Sequence, residues 1–532
     1  MRNDRSLGFT QFGLVIFITV ILLLNIGYSN SEIHPRKILL SKKSGGINLD
    51  SPIQLNKSDL AAFLDETITD YMEEQHVAGI TISVVKDSDL LFSRGYGYAD
   101  IAQGIEVSAN DTLFSIASIS KTFTATAVML LVENGTLDLD EDINTYLESF
   151  QVPTLSSASP ITLSHLLTHT AGFEESWENI FYSNYESLPS LEEFLTNFLP
   201  SRVFPPGHIQ SYSNLGSALA GLIVQEVTDQ PFAQYIEEHI LKPLGMNRTT
   251  AFQESTGPFI TNRSRGYSFS SGTFCRFPHY YCAVPPAGGM SATAQDMAKF
   301  MIMFLNEGIY DGKRILTENS VLQMRAEQFT GHPSMDGIGY GFYTRTLNNQ
   351  TLVGHTGGMP TFSSIMALLP KHECGIFISV NTVAAGWDEI LTAFLNRYFP
   401  APSIQVKDPL PTTPDRLTMF EGYYLPTRRP YVDLDESMIT ICNDIITEVS
   451  AMDDNSLHVR SNYLPIDGMS FVEVEDYIFR DKSGETDIYI AFREEGSGNI
   501  SFMFLSLSAL TAMEKLYSWY LEVSGTEELE CN

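Results

Sequence analysis

Apolar residues change their spacing repeatedly along this chain, and each change marks an element. Between Asp59 and Glu74, Leu60, Phe63, Leu64, Ile68 and Met72 recur at helical intervals, which predicts an amphipathic helix. Two strand-like runs follow, AGITISVVK and LLFSRGYGYAD, split by Asp87-Ser88-Asp89, a hairpin turn. A helical pattern then carries FSIASISKTFTA on to about Glu133, where Asn134-Gly135 supplies a left-handed stop. From about 137 to 330 helical spacing and loops dominate. Within that stretch Thr293-x-x-Asp296 reads as a capping box opening a helix through Phe304. Strands return after 337 as GIGYGFYTRTL, QTLVGHTGG, FSSIMALLP and CGIFISVN, and a helix from Asp388 to Tyr398 closes the unit. Helix and strands at both ends bracket a helical insert. That is an α/β (α+β) arrangement, an antiparallel sheet flanked by helices.

Residues 400–414 contain Pro400, Pro402, Pro409, Pro411 and Pro414 and read as a semi-rigid linker. Beyond it MITICNDIITEV, SLHVRS, SFVEVE, YIFRD, DIYIAFRE and ISFMFLSL predict short strands. Turns at Asp453-Asp454, Lys482-Ser483-Gly484 and Gly496-Ser497-Gly498 separate them, which indicates a C-terminal all-β barrel-like or sandwich domain. The expected organisation is a leader over 1–29, a flexible stalk over 30–57, the main domain over 58–399, the linker over 400–414 and the β domain over 415–532.

Charge narrows the partners. Lys+Arg is 32 against 64 Asp+Glu, a net charge of −32. A surface that acidic excludes nucleic acid and adhesion to anionic lipid as main roles. Arg2 and Arg5 precede an apolar run from Phe12 to Leu24, and Gly27 and Ser29 are small residues before a cleavage point at Asn30. This reads as a signal peptide or a retained signal-anchor, and membrane contact is expected only there. Sequons at Asn56, Asn110, Asn134, Asn247, Asn262, Asn349 and Asn499 agree with a secreted or lumenal protein. In that oxidising setting Cys275 and Cys282, closing the loop CRFPHYYC, are the expected disulfide, while the pairing of Cys442 and Cys531, which could tie the C-terminal region to its tail, stays open. Cys374, in CGIFISV, reads as a buried strand residue without a partner, and the spacing fits no zinc motif.

Candidate chemistry centres on Ser118-Ile119-Ser120-Lys121. On a helix Ser118 and Lys121 share one face. A hydroxyl is a poor nucleophile at neutral pH, and a desolvated, neutral lysine can take its proton during attack. Ser115 and Ser120 have no lysine three residues on. Tyr212-Ser213-Asn214 and His355-Thr356-Gly357-Gly358 follow downstream.

Together TLFSIASISKTFTA, ITLSHLLTHTAGF, PPGHIQSYSNLGSALAG, ILKPLGMNRTT and VGHTGGMPTFSS make the chain resemble the serine β-lactamase-like superfamily, in its class C β-lactamase, D-aminopeptidase and family VIII esterase branch. The resemblance covers residues 58–399. It implies a Ser118 acyl-enzyme, Lys121 as base, and Tyr212 passing a proton to the leaving group. It also implies that Asn214 holds a substrate amide and orients Lys121, and that the backbone N–H groups of Ser118 and Gly358 form an oxyanion hole. Thr356 and Gly357 belong to the same substrate-binding strand, where small residues let a carbonyl approach. His355 stands where lactamases usually carry lysine. A neutral histidine attracts a penicillin carboxylate weakly, which argues against antibiotic resistance and leaves peptide, amide or ester hydrolysis.

The implied enzyme is a serine hydrolase with a small-molecule or peptide substrate and no cofactor or metal. The competing reading is a catalytically inactive binding or scaffolding protein that keeps the fold. His165 and His169, four apart, lack a third ligand and read as structural. Two aromatic-rich segments are expected to shape the pocket, Glu174 to Pro200 with Trp177, Phe181, Tyr182 and Tyr185, and Phe252 to Pro286 with Phe274, Phe277, Tyr280 and Tyr281. Their aromatic density points to an apolar or aromatic acyl group or side chain.

Overall fold

The computed structural model describes residues 53–516, except 154–158, 177–178, 254–259, 384, 402–406, 430, 432–444, 485, 487, 497–498 and 507–511. The expectations for the leader, Trp177, Cys442 and Cys531 fall outside the described residues. Among those described, no helix is long and apolar enough to cross a membrane.

The first helix, α1 (Lys57–Gln75), starts where the Asn56 side chain accepts from the Asp59 N–H and stops at His76 in a left-handed conformation. Its buried stripe is Leu60, Leu64, Ile68 and Tyr71. Next come β1 (Gly79–Lys86) and β2 (Asp89–Asp100), joined by Asp87 and Ser88, both at positive φ as a tight hairpin requires. The short β3 (Ile105–Glu106) pairs with β2. Helix α2 (Ser120–Glu133) is buried along most of its length, and α3 (Asn214–Thr228) and α4 (Ala294–Leu305) pack in the same core. Then β4 (Tyr343–Leu347), β5 (Gln350–Met359), β6 (Phe362–Leu369) and β7 (Cys374–Val380) lead into α5 (Asp388–Tyr398).

These seven strands form one antiparallel sheet in the order β4-β5-β6-β7-β1-β2-β3. Its central strands are buried on both faces, so even their hydroxyl residues Thr81, Ser83, Ser364 and Ser379 are buried. One face is covered by α1 and α5, the other by the helical insert.

Local expectations differ at three places. The run from 337 becomes a strand only at Tyr343, because Gly339 and Gly341 lie against Met324 O and Ala125 Cβ. The capping box at α4 is one-sided. Thr293 accepts from Asp296 N–H, while the Asp296 carboxylate is taken by Arg248 N–H, Thr249 and Lys299. The disulfide expectation is corrected: Cys275 and Cys282 are free thiols. Cys275 is exposed in a hairpin strand facing Ser268, whereas Cys282 is buried in a different two-stranded sheet facing Phe181. Seven residues of spacing could not reveal that the two belong to separate ladders. Cys374 is a buried, free strand residue, as its surroundings suggested.

The C-terminal unit is a closed eight-stranded barrel. It docks on the sheet domain through an apolar cluster that joins Phe204, Ile209 and Met335 to Val474, Phe502 and Phe504. Arg493 donates to the carbonyls of His208 and Gly331 at 3.2 and 3.3 Å, which fixes the orientation of that contact.

Candidate active site

Ser118 sits in a single 3₁₀ turn, Ala117–Ile119, that runs straight into α2. Ala117 is held at φ +46, a left-handed conformation costly for a residue with a Cβ. Lys121, one turn on, is buried. Its Nζ lies 3.1 Å from Ser118 Oγ, 2.8 Å from Asn214 Oδ1 and 2.6 Å from Ala287 O. No carboxylate forms an ion pair with it among the described residues. Burial, and then the Arg428 cation, push its pKa well below the usual lysine range. A neutral amine has two N–H bonds and one lone pair. In that form the amine, donating to Asn214 Oδ1 and Ala287 O, would keep its lone pair for the Ser118 hydroxyl.

Tyr212 and Asn214 flank the Ser213 N-cap of α3, whose hydroxyl accepts from Gly216 N–H. The buried Tyr212 hydroxyl makes no hydrogen bond of ordinary geometry. Burial pushes its pKa up, while Arg428 and the neighbouring Ser118 hydroxyl pull it part of the way back. His355 is buried with Nδ1 2.5 Å from Thr356 O. Its Nε2 has no partner among the described residues. Burial and the nearby Lys121 drop its pKa to about 3, so it is neutral at ordinary pH.

Beyond Gly354, β5 pairs only with β6, which leaves the other edge of His355–Met359 facing the Ser118 turn. Tyr343 OH accepts from Thr356 N–H at 2.6 Å at that edge. A Cβ on Gly357 would come within 2.1 Å of Ile116 O, so only glycine lets this strand lie on the nucleophile's turn. All eight residues from the three motifs therefore converge, although Thr356 and the two glycines contribute mainly backbone.

Residues 64–397 match the Beta-lactamase family. The chain belongs to that family. Protein flp of Staphylococcus aureus (strain MW2) is 28% identical over 322 residues, covering 60% of this chain and 62% of that protein. The chain thus spans somewhat less than two thirds of the length of such curated relatives. A penicillin-binding protein from Bacillus halodurans superposes with TM-score 0.52 at 25% identity, over 62% of this chain and 98% of that one. The octameric penicillin-binding protein homologue from Pyrococcus abyssi gives TM-score 0.56 at 23% identity, over 85% of this chain and 100% of that one. That coverage exceeds the sheet domain, so the likeness in fold extends into the barrel. Beta-lactamase-fold relatives are serine hydrolases.

Two groups at the site were missed from sequence. Arg428 extends from the barrel and places its guanidinium 4.4 Å from the centre of the Tyr212 ring. Its Nε donates to Glu175 at 2.5 Å, and both partners are buried. Backbone contacts lock this arm: Ser211 Oγ donates to Thr427 O, Thr427 Oγ1 to Gln210 O, and Glu175 N–H to Arg429 O. The adjacent pair Arg428-Arg429 in so acidic a chain was the available signal. Glu175 is the second missed group, and His169, read from sequence as structural, borders the site as well. His169 accepts from Ser213 N–H at 3.2 Å and packs on Tyr212 with ring centres 4.2 Å apart, contacts that fit a structural role. His165 does serve structure, closing a reciprocal capping box with Thr162. The described residues contain no cluster of three metal-ligating side chains.

Proposed function

We propose that this protein hydrolyses an amide or ester bond through a Ser118 acyl-enzyme. The observation that carries the reading is the buried Lys121 Nζ, 3.1 Å from Ser118 Oγ and without a carboxylate ion pair among the described residues. Attack forms the Oγ–C bond as the hydroxyl proton passes to Lys121 and the carbonyl π electrons move onto oxygen. That oxyanion is held by backbone N–H groups at Ser118 and Gly358. Collapse re-forms the carbonyl and breaks the bond to the leaving group, which takes the proton from Lys121 by way of Tyr212. Water then attacks the ester by the reverse relay, releasing the acid and restoring Ser118.

Support for the class comes from the family and from relatives that bear the name penicillin-binding protein. The leader and seven sequons support export. Six of those asparagines are exposed and Asn262 is half-buried. The test is intact-mass analysis after a fluorophosphonate, beside Ser118→Ala. A single adduct on the wild type and none on the variant is expected. No adduct on a folded wild type would overturn the mechanism in favour of a non-catalytic binding role.

A further inference from the structure

The open edge of β5 offers far fewer hydrogen bonds than its length suggests. In a strand the N–H and C=O of one residue point to the same side, and that side alternates with a period of two. Gly354 turns its pair towards β4, where Tyr343 stands opposite. Thr356 and Gly358 therefore turn theirs the same way, past the end of β4 and into the site. At Thr356 both groups are already used. Its N–H donates to Tyr343 OH at 2.6 Å, and that hydroxyl donates in turn to Thr356 Oγ1 at 2.6 Å. Burial pushes the Tyr343 phenol up to about 12, so it keeps the proton it gives. The Thr356 carbonyl lies 2.5 Å from His355 Nδ1. A carbonyl only accepts, so Nδ1 carries the imidazole proton and fills that position.

The other end stops as soon. Met359 is the last residue of β5, and Pro360, in the turn to β6, has no N–H to give. Thr361 beside it packs so closely on Gly266 that a Cβ there would lie 2.0 Å from Thr361 Oγ1. Between these stops Gly358 is the one residue, among those described, that turns a free N–H and C=O into the site. The stops fall on opposite sides of the bond to be cut. Tyr212, which delivers the proton to the leaving group, has its ring centre 6.2 Å from that of His355. Tyr343 and His355 thus close the leaving-group side, and Pro360 closes the acyl side.

We propose that this edge accepts one main-chain unit of substrate and no more, and that Tyr343 is the specificity-determining residue that sets the limit on the leaving-group side. The substrate class that fits is an ester or amide of a single residue-sized acyl unit with a compact leaving group. An extended polypeptide gains nothing by lying along β5, because pairing with Thr356 would first strip Tyr343 of both its hydrogen bonds and leave a buried hydroxyl unpaired. The proposal rests on the hydrolase reading above, since the two sides are assigned from Tyr212.

The experiment uses three thioesters built on glycine, which has no handedness. They are acetylglycyl mercaptoacetamide, its analogue with Gly-Gly added beyond the leaving thiol, and its analogue with Gly-Gly added on the acyl side. Thiol release gives kcat/KM for each, with Ser118→Ala as the blank. A further pair of main-chain hydrogen bonds would be worth about tenfold. In the wild type each extension is expected to raise kcat/KM by less than about threefold. Tyr343→Phe keeps the ring and frees the Thr356 N–H, so the leaving-side extension should then gain at least about threefold over the short ester while the acyl-side ratio stays put. A wild-type gain above about threefold from either extension, or an unmoved leaving-side ratio in Tyr343→Phe, would overturn the one-unit edge and leave the hydrolase reading standing. Should no thioester turn over, the hydrolase reading fails, and hydrogen exchange at the Thr356 amide decides the edge. Slow exchange in the wild type and fast exchange in Tyr343→Phe support the cap, and equal rates refute it.

Discussion

Replacing Arg428 by Gln should move the acid limb of the rate profile to higher pH. Lys121 Nζ and Arg428 Cζ lie 4.8 and 4.4 Å from the centre of the Tyr212 ring, so they stand no more than about 9 Å apart. At an effective dielectric of about 20, unit charges at that separation repel by about 1.8 kcal/mol, or about 1.3 pH units. Lys121 works as a base only when neutral, so activity rises with pH through its pKa. The arginine holds that pKa down, and its loss lets the pKa climb. Glu175 opposes the arginine. If Glu175 stays ionised without its partner, the whole 1.3 units appears. If it takes up a proton, as its burial favours, its own pull on Lys121 vanishes and the shift is smaller. The direction is upward in both cases, because Arg428 acts on Lys121 more strongly than Glu175 does. Arg428→Lys should keep the limb near its original place, and Glu175→Gln should shift it downward. The assay is the pH dependence of fluorophosphonate labelling, read as a second-order rate constant. An unmoved limb in a folded Arg428→Gln protein, or one displaced to lower pH, would refute the electrostatic argument.

Other consequences can be measured separately. Gly357→Ala forces a Cβ to within 2.1 Å of Ile116 O, so the strand and the Ser118 turn must part; labelling should slow by about a hundredfold, and a wild-type rate would show that the strand is not held there. His355 has a folded pKa of about 3 against 6.5 unfolded, so the unfolded chain binds the extra proton between those values. Its stabilisation is full above pH 6.5 and is lost as pH falls towards 3, by at most about 1.4 kcal/mol per unit, and His355→Asn should flatten the slope of Tm against pH. Phe504→Ala removes a buried ring from the contact between barrel and sheet domain, at a cost of about 3–5 kcal/mol. Calorimetry should then show the barrel melting first, with an acid limb displaced as in Arg428→Gln.

The parts readable from sequence were those governed by local rules. Helix α1, the β1–β2 hairpin and α5 follow their spacing and turn residues almost to the residue, because each is set by its own apolar stripe or turn residues. Ser118, Lys121, Tyr212, Asn214 and His355 were found because each sits in a short motif with a chemical reason. Arg428 and Glu175 belong to no such motif. They meet across 253 residues, and only the docked barrel brings them together. The cysteine pair failed for the same reason, since spacing counts residues and not ladders.

The order of strands also sets a timetable for the growing polypeptide. β1 pairs on one side with β2, made immediately after it, and on the other with β7, some three hundred residues later. Until Cys374–Val380 leaves the ribosome, one side of a strand that ends up almost wholly buried has nothing to bond to. At about 5–20 residues per second that is a wait of tens of seconds. During that interval the first hairpin is an unfinished edge, open to any other strand nearby. Newly made chains of this protein therefore depend on being shielded before they depend on being stable.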